Sequence, residues 1–253
     1  MFFYIVLLSI PSIFTLHPLS KGKNNSLFFI YSYFICLAYL LGLRENIGGD
    51  WINYKIYYET IETRFSPISF NLLENDYLFD IINWISIKLS LSFYAVNFIN
   101  FSIFIFCLGL FLRKFKNPSL VVVIAAPYLI FVAATGYVRQ VSAFGLFLIS
   151  LLFLMKEKYF RFLFFLFLGA LFHKTIFIMG ILFPLVVFNF KKLLFLNFNK
   201  KKIIFLITFT VFSIFFYFYY LKFKFSFILY YYVGEGKFFD SKGAIYRFLP
   251  FFI

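Results

Sequence analysis

The sequence predicts an all-α integral membrane protein: a polytopic helical bundle of about 8–9 membrane segments, counting a short hairpin, with one large outward loop that carries an amphipathic helix. Composition is the first observation behind this. The chain is 63% apolar and only 13% charged, with a mean hydropathy of +0.92, whereas soluble domains sit near half apolar and a quarter charged. Charge placement is the second. The net charge of +14 could suggest nucleic acid, but Lys and Arg gather in short loops between apolar runs, as the positive-inside rule expects of cytoplasmic loops. Seven of the ten acidic residues lie between residues 44 and 80. The partner this charge reports is the lipid bilayer, and no nucleic acid is expected.

Run length supplies the segments. A membrane helix needs about 20 mainly apolar residues, and the runs at 1–19, 26–43, 94–112, 119–135, 138–155 and 203–221 qualify, with a further apolar start at 244–253. The first run has no basic residue before it and no small-residue cleavage site, so it reads as a helix rather than a signal peptide. Basic loops at Lys21–Lys23, Arg113–Lys116, Lys156–Arg161 and Lys191–Lys202 are assigned to the cytoplasm. The loop at 44–93 then faces outward, as does the turn at Gly136–Gln140. Cys36 and Cys107 lie in apolar runs and suggest neither a disulfide nor a metal site. No internal repeat is visible, and residues 1–253 read as one membrane domain.

The segment from Phe162 to Phe188 has basic flanks on both sides, so an even number of crossings must separate them. It is too short for two full helices. A hairpin of half-helices, or two short mismatched helices, would put His173 and Lys174 at an outward tip. A single long helix is the alternative. In the outer loop, Leu78, Ile81, Ile82, Ile85 and Leu89 recur at helical spacing, with Asp76, Asp80 and Asn83 toward the other face. That predicts an amphipathic helix over Asp76–Phe93, lying on the membrane or packed over the bundle. Tyr54, Tyr57 and Tyr58 read as an interfacial aromatic belt.

Charged residues in membrane segments cost about 2.5–3.5 kcal/mol each and are often functional. Three sets fall on the outward side: Arg44 with Asp50, Arg139 with Gln140, and His173 with Lys174. Tyr246-Arg247 forms a fourth candidate. Each also has a structural reading. Arg44 could be an interfacial anchor paired with Asp50 or Glu45, and a lone histidine is more often a satisfied polar residue of a bundle. Convergent Arg, Lys and His suit a phosphate or pyrophosphate ligand, because guanidinium groups grip phosphate oxygens in two-pronged fashion and Lys adds a point charge. Gly48-Gly49 allows a close backbone approach. With no HExxH, no Cys/His cluster and no nucleotide-binding glycine fingerprint, neither a metal nor a cofactor is expected.

Arg44-x-x-x-Gly48-Gly49-Asp50-Trp51-x-Asn53-Tyr54 resembles the first outer loop of the EpsG/Wzy-type polysaccharide polymerases. Tyr137-Val138-Arg139-Gln140 resembles that family's Arg-Gln element, and Ala170-Leu171-Phe172-His173-Lys174-Thr175 its Phe-His-Lys/Thr element. Order and spacing agree across roughly residues 40–190. The chain stops at Ile253 inside an apolar run, whereas family members usually carry further membrane helices, so a short member or a truncated frame is expected.

The resemblance implies a multi-pass enzyme of the bacterial inner membrane that joins oligosaccharide repeat units for O-antigen, capsule or exopolysaccharide. Its donor would be a growing glycan on undecaprenyl pyrophosphate and its acceptor a lipid-linked unit, with the chemistry on the outer face. A chain-length regulator is the protein partner it admits. Arg139, Arg44 and Lys174 would offset charge on the leaving pyrophosphate, with Gly49, Tyr54, Gln140 and Arg247 binding pyrophosphate or glycan. His173 is the first choice of general base and Asp50 the competitor, which could instead only orient Arg44. A flippase of lipid-linked oligosaccharide would use the same basic cavity without chemistry. A polyprenyl-phosphate-sugar glycosyltransferase would more naturally use an acidic base such as Asp50.

Overall fold

The computed structural model describes residues 2–16, 23–48, 50–67 and 76–179, all within the unit Met1–Gly180. Every element among the described residues is helical. The helices expected at 203–221 and 244–253, the second limb of the hairpin beyond Met179, Gly49 and Arg247 lie outside the described residues.

In chain order the helices are α1 (Phe2–Leu16), α2 (Lys23–Gly42), α3 (Trp51–Glu59), α4 (Ile61–Arg64), α5 (Tyr77–Lys88), α6 (Phe93–Leu112), α7 (Pro118–Ala125), α8 (Ala134–Gly136), α9 (Val138–Leu154), α10 (Tyr159–Phe172) and α11 (Ile176–Met179). A π-helical segment, Ala126–Ala133, joins α7 to α8. Its cause is Pro127, which lacks an N–H and whose ring crowds the carbonyl four residues back, so the turn widens. By length and composition, Asn25–Gly42, Phe93–Leu112 and Pro118–Gly136 can each cross a membrane, while Ile5–Leu16, Val138–Leu154 and Tyr159–Phe172 are apolar but shorter.

Helix α6 is central, packing on α2 and on α9, which in turn packs on α10. Phe34, Leu37, Phe101, Phe104, Leu112 and Ile130 are buried between them. The α6–α9 approach depends on Gly145, where a Cβ would stand 3.0 Å from the Phe104 Cα.

The bundle has two distinguishable ends. At one, Ser26 and Ser119 hydroxyls meet at 2.6 Å and Arg113 Nε donates to the Tyr31 hydroxyl at 2.9 Å. At the other, Arg44 Nη2 donates to the Thr135 carbonyl at 2.6 Å and Arg139 Nη1 to Asp76 at 2.9 Å. Arg44, Arg139 and His173 therefore do share one end, as charge and crossing parity require.

The break expected near His173 is present: α10 ends at Phe172, and His173 is extended, with φ −160° and ψ 123°. Two local expectations need correction. The helix expected over Asp76–Phe93 forms as α5, but its polar face is the buried one, with Asp80 1% and Asn83 0% exposed. Two of the three belt tyrosines, Tyr54 and Tyr57, also turn inward. Tyr54 is buried, Tyr57 donates to Asp80 Oδ1 at 2.6 Å, and Tyr58 donates to the Leu91 carbonyl.

Candidate functional site

The site is assembled at the ends of helices. Arg139 stands in the first turn of α9, which the non-helical Tyr137 separates from α8. In an unbroken helix the Thr135 carbonyl would accept the N–H of residue 139; here Arg44 Nη2 donates to it. Gly48 lies against the same carbonyl. Its φ is +106°, and a Cβ there would come within 2.3 Å of the Thr135 oxygen, so both conformation and space require glycine. Arg44 Nη1 and Nε donate to the Leu41 and Ile47 carbonyls at 2.8 and 3.1 Å. Its guanidinium thus ties the Arg44–Gly48 loop to the break that aims Arg139.

Asp76, immediately before α5, is the hub. Its Oδ2 accepts from Arg139 Nη1 at 2.9 Å and lies 3.1 Å from His173 Nδ1. Asp76 is 7% exposed, against 16% for His173 and 34% for the Arg139 side chain. Burial alone would push the Asp76 carboxyl up, but the His173 hydrogen bond and the charges of His173, Arg139 and Lys174 outweigh it and hold the group below its ordinary value. A carboxylate ionised this way is a fixed negative charge.

Aromatic rings wall the guanidinium. Arg139 lies over Tyr54, Phe79 and Tyr57 at 5.4, 5.7 and 5.8 Å from the ring centres, distances at which cation–π attraction adds to the ion pair. Tyr57 links this cage to Asp80, one turn beyond Asp76 on α5. Burial pushes the Asp80 carboxyl up to about 6, with the Tyr57 hydrogen bond pulling down and the neighbouring Asp76 charge pushing up. Asp80 Oδ2 and Arg139 Nε are buried without a hydrogen-bond partner.

Of the residues expected to act together, Arg139, His173 and Tyr54 meet here, and the Lys174 charge reaches Asp76 and Asp80. Gln140, beside Arg139, is exposed. Asp50 precedes α3, its carbonyl accepting the Tyr54 N–H at 3.0 Å, so it adjoins the cluster through Tyr54. Asp76, Asp80, Tyr57 and Phe79 were not anticipated as site residues. The available signal was electrostatic: several cations assigned to one end of a bundle need counter-charges, and two carboxylates four residues apart on an apolar helix are the candidates. Among the described residues no three His, Cys, Asp or Glu side chains group to hold a metal ion.

Apolar helices enclosing a cationic cluster tied to one buried carboxylate define a helical membrane protein with a polar site at one end of its bundle. Residues 27–253 match the EpsG family, so the chain belongs to that family of Wzy-type polysaccharide-polymerase-like proteins. No curated protein and no solved structure matches the chain.

Proposed function

We propose that the protein polymerises lipid-linked oligosaccharide repeat units on the outer face of the bacterial inner membrane, transferring a growing glycan from undecaprenyl pyrophosphate to a lipid-linked acceptor. Family membership supports polysaccharide-polymerase-type work in a membrane. The observation that carries the finer reading is the convergence of Arg139 and His173 on Asp76 Oδ2.

An acceptor hydroxyl oxygen bonds to the anomeric carbon as the bond from that carbon to the pyrophosphate oxygen breaks. The hydroxyl proton goes to His173, and the electron pair leaves with undecaprenyl pyrophosphate. With Asp76 accepting from Nδ1–H, the other ring nitrogen is the atom that takes the proton, and the carboxylate then stabilises the imidazolium. Arg139 and Lys174 offset the charge growing on the leaving group. Arg44, engaged with main-chain carbonyls, is assigned a positioning role, and Asp50, whose charge reaches Tyr54, stays the competing base.

The test is a glycan ladder in a polymerase-deficient host carrying the matching repeat-unit genes. The native chain restores long glycans. His173→Ala and Arg139→Ala, at normal protein level, collapse the ladder toward single units, as expected for loss of a general base worth about 10²–10⁴-fold. A full ladder from His173→Ala removes the base assignment. Loss of all exported glycan with the native gene deleted points to a flippase instead.

A further inference from the structure

Helix α5 is inside out for a helix of an aqueous loop. A surface helix in water turns its apolar stripe to the core and its polar face to solvent. In α5 the buried face carries Asp80, Asn83 and Ser86 beside Phe79, while Ile85 is 43% exposed and Leu89, just past the helix, 63%. Such an arrangement is favourable only where the surroundings are less polar than the interior.

Register gives a second, independent observation. Ser142 Oγ donates to the Asn100 carbonyl at 3.1 Å, and Gly145 adjoins Phe104. This alignment sets Arg139 level with about Asn97, a full turn or roughly 6 Å inside the start of α6. Asp76, bonded to the tip of the Arg139 side chain, lies within one arginine side-chain length of that level. At its other end α5 finishes on Lys88, which lies over Trp84 at 5.8 Å and pairs with Glu62 at 2.8 Å. Lys and Trp so placed suit a headgroup boundary.

We infer that α5 is immersed in the leaflet at that end of the bundle, Ile85 against lipid acyl chains, its Lys88 end at the headgroups, and its Asp76–Asn83 side forming the membrane-facing wall of the charged cluster. At 12 residues, or about 18 Å, it is too short to span a hydrocarbon layer of about 30 Å. The cluster is therefore screened from the aqueous phase on this side, and an anionic lipid headgroup reaches it from within the membrane. The immersion holds whether or not the ligand is a polymerase substrate.

Two measurements on the full chain in phosphatidylcholine vesicles test this. Trp51 is buried and Trp84 only partly so, which makes collisional quenching of the native chain report mainly Trp84. Phosphatidylcholine brominated near the carboxyl ends of its acyl chains should quench it more than phosphatidylcholine brominated near the chain termini, and aqueous acrylamide should quench it less than it quenches free tryptophan. For the second, Ile85→Cys in a Cys36→Ser, Cys107→Ala background carries a nitroxide. Dissolved oxygen should relax the label more than a water-soluble nickel chelate does. Dominant quenching by acrylamide with dominant relaxation by nickel overturns the proposal in favour of an aqueous loop. Insensitivity to both reagents also overturns it, because the face is then covered by protein. Loss of polymerase activity plays no part in either readout.

Discussion

Asp76 carries more of the site than any cation bound to it. One oxygen holds both Arg139 and His173, so removing the carboxylate leaves buried positive charge uncompensated, a change that costs about 3–5 kcal/mol in comparable buried pairs. Asp80, four residues on, behaves oppositely. Its folded value is raised to about 6, so its contribution is fully present below the unfolded carboxylate range and is lost as pH rises through about 6. Asp80→Asn keeps an oxygen to accept from Tyr57 without the charge. It should raise the thermal midpoint in detergent at pH 8, by up to the equivalent of about 3 kcal/mol. The gain should shrink as pH falls toward 4. Thermal melts of both proteins at pH 4, 6 and 8 check this; a penalty that grows with pH would mean that the ionised carboxylate is what the fold uses.

At the scale of elements, periodicity identified α5 but could not say which side it buries. The spacing of Leu78, Ile81, Ile82, Ile85 and Leu89 has a period, and a period carries no sign. In water solvent fixes the sign, but for a helix on the membrane or packed over the bundle the spacing leaves it open, so Asp76 and Asp80 could be placed only on the face opposite the apolar stripe. The π-helical segment at Pro127 was equally hidden, because the run around it is apolar throughout and only the proline marks it. The α6–α9 contact hides behind an ordinary-looking Gly145, where the neighbouring atom is backbone and cannot rotate aside. Gly145→Val should therefore separate the two helices, costing about 1–3 kcal/mol, and should lower the thermal midpoint in detergent. An unchanged midpoint would show that the interface yields without strain.

Across the whole molecule, the features that charge and length could reach were those set by the bilayer itself. Lys and Arg in short loops fixed which helix ends lie together, and the contacts bear this out: Arg44 to Thr135 and Arg139 to Asp76 at one end, Ser26 to Ser119 at the other. The positive-inside rule predicts that the site's end faces the exterior, since Arg113–Lys116 and Lys156–Arg161 crowd the other end. Glu45, on the Arg44–Gly48 loop, and Lys156, just past α9, are exposed residues at the two ends of the bundle, and they separate the two orientations. In the cysteine-replaced background, Glu45→Cys should react with a charged, membrane-impermeant maleimide in intact spheroplasts. Lys156→Cys should react only after permeabilisation. The reverse pattern would put Asp76, Arg139 and His173 on the cytoplasmic side, where a growing exported glycan cannot be their substrate, and would require a different reaction for the same cluster.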